Sequence, residues 1–300
     1  MSNAVEIHNV RYRAGKTFEI PDLTLNVPVG AIYGFLGPNG SGKTTTIRLV
    51  LGLLRPMAGR ISVLGEPMPE HAPGILARVG YVPEQPHLDP TLTVRETLRF
   101  QAAFYSTWDA TRVEQLLRQF QLDEQAAFGR LSKGQKGKLM TLLALAQRPE
   151  LLVLDEPTDG LDPVVRRDVL SALLDYVSQR RATVFISSHL VHELERICDW
   201  IGVMDNGRLV TELPMERFKR GIKRLRVAGA PPNVAPPAPP FALLAREPAN
   251  GKAETWVVRD WEPDMAPYFE TIGAALHEVI DLDLEEGFVE LLRASRGLTA

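Results

Sequence analysis

An α/β fold with a mostly parallel sheet is predicted for these 300 residues on three observations. Strand-like and helix-like stretches alternate through the first two thirds of the chain, the order that builds a sheet covered by helices. "ELLVLDEP", Glu150 to Pro157, holds a continuous apolar run suited to a strand buried on both faces. "GPNGSGKT", Gly37 to Thr44, is a glycine-rich turn between a predicted strand and a predicted helix.

Taken in order, "VEIHNVRY", "TFEIPDLTLNVP" and "AIYGFL" read as strands separated by turn residues, an antiparallel β N-terminal part reaching about Leu36. "SGKTTTIRLVLGLL" has helical character, and Pro56 is expected to stop it. "GRISVLG" and "RVGYVP" are two more short strands. A helical subdomain, inserted at about 84–147, opens with Thr93 and Glu96 in capping-box spacing. Within it Val113, Leu116, Leu117 and Phe120 fall on one helix face. "LSKGQKGK" starts a further helix, with Ser132 as cap and Gln135 three places on. After the strand in "ELLVLDEP" come a helix in "DPVVRRDVLSALLDYVSQR", a strand in "ATVFISSH" and a helix in "LVHELERICD". "WIGVMDNGRLV" is a hairpin around Asn206-Gly207.

This large domain is expected over 1–219. A small α+β appendage is expected over 220–300, entered by a proline-rich loop at 229–240 that holds six prolines. Strand-like "FALLARE" and "ETWVVRD" follow, then two helix candidates separated by "LHEVIDL".

Composition, 45% hydrophobic and 24% charged, is that of an ordinary globular protein. A net charge of −3 argues against a nucleic-acid partner, whose binders are usually basic. The single cysteine, Cys198, cannot form an internal disulfide, reads as a buried residue and fits a reducing cytosol. No run approaches about 18 apolar residues, so the chain is not expected to cross a membrane by itself.

Two motifs carry the chemistry. In Gly37–Thr44 the glycines let backbone N–H groups face inward as an anion nest, above a helix N-terminus. Lys43 would reach β/γ-phosphates and the Thr44 hydroxyl would bind Mg2+. Asp155, ending the buried strand, is placed to hold the same metal through water, and Glu156 beside it to polarise an attacking water. The core is thus of P-loop NTPase type.

The P-loop, "LSKGQ" at Leu131–Gln135, "LLVLDEP", "GLDP" at Gly160–Pro163 and "SSH" ending at His189 together resemble the ATP-binding cassette of ABC transporters. The likeness covers about residues 4 to 218 and is closest in wording to the ATPase subunits of ABC-2-type exporters. It implies ATP and Mg2+ as ligands, with Glu156 as catalytic carboxylate, His189 contacting the γ-phosphate, and Lys43 beside them. Gly37, Pro38, Asn39, Gly40, Ser41, Gly42, Lys43, Thr44 and Thr45 would cradle the nucleotide. Ser132, Gly134 and Gln135 would close over the γ-phosphate of a second copy packed head to tail, and Asp162 lies in the loop that links the two sites. Tyr12 is placed like the aromatic that stacks on adenine, with Phe18 the alternative and a plain core tyrosine the third reading.

Two positions depart from the family pattern. Glu84, with Gln85 after it, stands where a glutamine linked to the metal is common. Lys133 stands where many members have glycine, and either faces a phosphate or lies on the surface. The resemblance implies the ATPase subunit of an exporter: a homodimer on the inner face of the cell membrane, with a separately encoded membrane permease. A soluble ABC ATPase acting on ribosomes or DNA is the alternative, disfavoured by the single cassette and the short, heptad-free span from Thr44 to Leu131. A hydrolysis-poor regulatory cassette, suggested by Glu84, is a third.

Overall fold

The computed structural model describes residues 2–229, 238–248 and 253–297. Strands β1 (Asn3–Ala14) and β2 (Phe18–Pro28) pair antiparallel, and β3 (Ile32–Leu36) leads into the glycine-rich turn. Helix α1 (Lys43–Val50), strands β4 (Ala58–Val63) and β5 (Glu66–Met68), helix α2 (Ala72–Leu76) and β6 (Val79–Val82) follow. Three helices come next: α3 (Val94–Ala102), α4 (Ala110–Phe120) and α5 (Lys133–Ala146). Then come β7 (Leu151–Asp155), α6 (Pro163–Arg180), β8 (Thr183–Ser188), α7 (Val191–Leu194) and the hairpin β9 (Trp200–Asp205) and β10 (Arg208–Pro214). Helix α8 (Met215–Gly221) leads to β11 (Lys223–Ala228), β12 (Ala242–Pro248), β13 (Ala253–Arg259), α9 (Pro267–Thr271), β14 (Ala275–Asp281) and α10 (Leu284–Ser295).

The central sheet has the order β10-β9-β3-β8-β7-β6, parallel throughout except for β10 at one edge. Every residue of β3, β7 and β8 is buried, as a strand covered on both faces requires. Tyr33, Phe35, Val153 and Phe185 pack with residues of β1, β2, β4 and α1; Leu36, Leu152, Leu154 and Ile186 pack with α5 and α6. The antiparallel sheet β2-β1-β4-β5 covers the first face. Thr93 and Glu96 close the predicted capping box, and Val113, Leu116 and Phe120 are the buried face of α4.

Several expectations are corrected. Helix α1 stops at Val50, short of Pro56, because Gly52 (φ +67) turns left-handed and the Leu53 N–H returns to the Arg48 carbonyl at 2.9 Å. The helix expected in "LVHELERICD" is the single turn α7; the chain then turns so that Cys198 packs on Gly34 of β3. Cys198 is buried, and burial pushes its thiol up, so it is an inert core residue. "LHEVIDL" supplies β14, an edge strand, and β5 and β11 are strands beyond those expected. Most of the proline-rich loop expected at 229–240 lies outside the described residues.

Strands β12-β13-β11-β14 form the appendage sheet, and Phe241, Trp256, Trp261, Tyr268 and Phe269 cluster between it and α9. Its last helix does not stand apart. Leu282, Leu284, Phe288 and Leu291 join the central apolar cluster with Leu194, Phe218 and Ile222.

Candidate active site

The carboxyl ends of the parallel strands lie in register along one sheet edge. Leu36 sits beside Ser188 and Val203, Val82 beside Leu154, and Asp155 beside Ser187. The loops leaving these strand ends meet at one crevice, the place where open α/β sheets bind ligands.

Gly37 opens the loop after β3, and a Cβ there would strike the Met204 carbonyl, so only glycine fits. Gly40 (φ +79) and Gly42 (φ +113) take left-handed backbone. Asn39 and Gly40 form the exposed tip, Pro38, Thr44 and Thr45 are half-buried, and the Ser41 hydroxyl is buried without a hydrogen-bond partner among the described residues. Gly42 is the N-cap of α1, so no side chain caps this helix and no acid sits in its first turn. Its free N–H groups and dipole favour an anion.

Lys43 is buried in the loop, its Nζ donating to the Gly37 carbonyl (2.7 Å) and the Pro38 carbonyl (3.3 Å). Thr44 Oγ1 donates to Asp155 Oδ1 (3.1 Å), and the Ser187 hydroxyl donates to the same oxygen (2.8 Å). Burial pushes the Asp155 carboxyl up, although both hydrogen bonds oppose the shift. Glu156 comes next with left-handed backbone (φ +48), its N–H donating to Ser187 Oγ at 3.0 Å. Glu156 Oε2 accepts from the His189 N–H (3.2 Å) and lies 2.9 Å from His189 Nδ1, which must carry the proton to donate. Glu156 Oε1 is buried 3.2 Å from Lys43 Nζ and makes no hydrogen bond among the described residues. One carboxylate oxygen is therefore fixed by His189 and the other faces the Lys43 ammonium, beside a helix N-terminus able to carry phosphate charge.

At the start of α5 the capping box is complete. Ser132 Oγ accepts from the Gln135 N–H (3.2 Å) and Gln135 Oε1 accepts from the Ser132 N–H (2.9 Å). The N–H groups of Lys133 and Gly134 keep no partner within the helix. Gly134 lies so close to Val165 of α6 that a Cβ would approach it to 3.2 Å. Lys133 lies on the surface, 62% exposed, with Nζ 3.3 Å from Asp159 Oδ2. Asp159 Oδ1 in turn stands 3.7 Å from His189 Nε2.

The remaining candidates are less central. Glu84 is exposed at the end of β6, where it lines a cavity with Thr44 and Asp155 and another with Lys133 and Glu156. Asp162 caps α6, accepting from the Val164 and Val165 N–H groups. Tyr12 and Phe18 are both half-buried; Phe18, the alternative aromatic, sets its ring against Gly42. Sequence reasoning gives no role to Ser187 or Asp159. The first is legible as the middle of "ISSH" at a strand end, the second only through its neighbours in space.

Residues 20–159 match the family described as ABC transporter. Over 222 residues the chain is 36% identical to the bacitracin transport ATP-binding protein BcrA of Bacillus licheniformis, across 73% of this chain and 72% of that protein. The chain belongs to the ABC transporter family. It is also 42% identical over 213 residues to the Nod factor export ATP-binding protein I of Burkholderia orbicola, across 69% of this chain and 70% of that one. A solved ATP-binding subunit of an ABC transporter aligns with a TM-score of 0.64 at 30% identity, over 72% of this chain and 92% of that one. A dimeric ATP-binding cassette bound to ADP and Pi, 22% identical over 70% of this chain and 98% of its own, shares the fold with a TM-score of 0.63. This ABC protein is an ATP-binding, ATP-hydrolysing subunit of a transporter, as the five motifs imply, and none of these likenesses favours the ribosome or DNA alternative.

Proposed function

We propose that this ABC ATPase hydrolyses Mg-ATP at the interface of a head-to-tail homodimer and so drives export through a separately encoded membrane permease. The observation that carries the reading is the convergence of Lys43, Thr44, Asp155, Glu156 and His189 on one crevice, linked by contacts of 2.8–3.2 Å. In this reading the N–H groups of Gly37–Thr45 and the Lys43 ammonium hold the phosphates. Glu156, steadied by His189, takes a proton from the attacking water. Ser132, Gly134 and Gln135 present the open first turn of α5 to the partner copy's γ-phosphate, next to the loop of Asp162. Tyr12 or Phe18 packs on the adenine.

Thr44 and Asp155 fit Mg2+: a hydroxyl and a carboxylate meet at 3.1 Å, and a cation would offset the burial that disfavours the Asp155 charge. Glu84 would reach the same ion from β6. When bound, the metal supplies positive charge to the phosphate oxygens.

Export is favoured over import by one of the relatives above, a Nod factor export ATP-binding protein. No helix among the described residues is long and apolar enough to cross a membrane, which fits a subunit held peripherally at the inner face by its permease.

Glu156→Gln tests the proposal. The variant should bind ATP, lose at least about 100-fold in turnover, and accumulate as a closed dimer by light scattering. Undiminished hydrolysis would remove Glu156 from its role. Lys43→Ala should lose binding or turnover, and normal activity there would overturn the P-loop assignment. Purification from membranes should bring down a polytopic partner; recovery with ribosomes instead would revive the soluble alternative.

A further inference from the structure

Helix α10 ends with Ser295 and is followed by Arg296, and both reach a carboxylate about ninety residues earlier. Arg296 Nε donates to Asp205 Oδ2 (2.9 Å), Nη2 donates to Oδ1 (2.8 Å), and the Ser295 hydroxyl adds a bond to Oδ2 (3.0 Å). The Asp205 side chain is only 3% exposed. Arg296 holds its carboxyl below the usual range, with Ser295 assisting.

Asp205 is the last residue of β9, and its chain neighbours form the floor of the P-loop. Gly207, in the following turn, donates its N–H to the Ser41 carbonyl (2.8 Å). On the other side, the Met204 carbonyl sits against Gly37 and its thioether against Gly42, within 3.7 Å of Thr46 Oγ1. The β9–β10 turn is thus wedged between the P-loop and β2, where a Cβ on Gly207 would strike the Glu19 carbonyl. The buried charge that anchors this wedge is neutralised by the appendage.

We propose that Asp205 and Arg296 are positioning residues for the P-loop, through which the C-terminal appendage sets the affinity for ATP. Neither touches phosphate. The N–H groups of a P-loop bind phosphate only when held within a fraction of an ångström of the right geometry, and here the floor that holds them is pinned by α10. Without Arg296 a buried carboxylate loses its partner, and the hairpin end must shift to hydrate it, taking Ser41 and Gly37 along.

The inference rests on the P-loop binding ATP, so the wild-type chain is measured first. Fluorescent-nucleotide titration and steady-state hydrolysis are then run on full-length Arg296→Ala, Arg296→Lys and Asp205→Asn, together with melting curves. Arg296→Ala should raise Kd and KM for ATP about tenfold. Its kcat should stay within about twofold, because the groups around Glu156 are untouched. Arg296→Lys should fall between, keeping the charge but losing the bidentate fork. In Asp205→Asn, removing Arg296 should add little. A lower melting temperature with unchanged Kd and KM would mean a merely structural contact and would overturn the proposal. Should Arg296→Ala fail to fold, Arg296→Lys and Ser295→Ala decide it: unchanged KM in both overturns it. A wild-type chain that binds no ATP would sink the P-loop reading and the positioning role of Asp205 and Arg296 with it, whereas wild-type binding with an indifferent Arg296→Ala sinks the positioning role alone.

Discussion

Asp155 ends a fully buried strand, and its charge is held there against the pull of burial. Ser187 and Thr44 donate to it and Lys43 lies near, yet desolvation together with the Glu156 charge leaves its carboxyl above the usual range. A carboxyl raised in the folded state contributes stability below its unfolded value, about pH 3.9, and loses it as pH rises through the raised value. At neutral pH the ionised group therefore weighs against the fold. Asp155→Asn keeps an acceptor for both hydroxyls, so without nucleotide it should melt above wild type at pH 7, and the gap should close by about pH 4. Its ATPase activity should fall by about 100-fold or more, since the carboxylate proposed for the metal is gone. A melting temperature equal to wild type at pH 7 would show that the hydroxyls compensate the charge in full.

In the proposed dimer, helix α5 serves stability and binding through the same cap. Ser132→Ala should cost about 1 kcal/mol in urea unfolding, as the loss of a Ser cap does elsewhere. Ser132→Asp caps equally well, so stability should hold. Its charge, however, would face the partner copy's phosphate, and ATP-driven dimerisation in the Glu156→Gln background should weaken. If Ser132→Asp dimerises like the parent, α5 is only a helix start. Elements of this kind are legible in the sequence because their signals are local. The caps at Thr93 and Ser132, the glycines of Gly37–Thr44, the apolar run ending at Asp155 and the Asn206-Gly207 turn each fit within a few residues. Strand β11 is not, since its sequence "KRLRVA" reads as a basic stretch until β13 and β14 pair on either side and turn Leu225 and Val227 inward. The end of α1 is misplaced when a proline is weighed above the glycine four residues before it. Within the site, Lys43, Thr44, Asp155, Glu156 and His189 are legible as residues, whereas Lys133 to Asp159 and Asp205 to Arg296 are pairings that only the folded chain makes.

At the scale of the molecule the appendage keeps an aromatic cluster of its own, but its last helix is part of the ATPase's core. Phe288 of α10 is 8% exposed and belongs to the apolar cluster that also holds Leu194, Phe218 and the inner residues of β7 and β8. Gly287 beside it lies so close that a Cβ would meet the Phe218 ring at 3.0 Å, so α10 seats tightly on α8. A helix tied in this way should not melt separately from the sheet it covers. Phe288→Ala should lower stability by about 3 kcal/mol, the range for emptying a buried aromatic position. Calorimetry should show a single endotherm moving down as a whole, with the nucleotide-induced rise in melting temperature shrinking too, because α10 carries Arg296 to the floor of the P-loop. Two separate endotherms, with only the lower one shifted and the nucleotide effect intact, would make residues 220–300 an independent module resting beside the cassette.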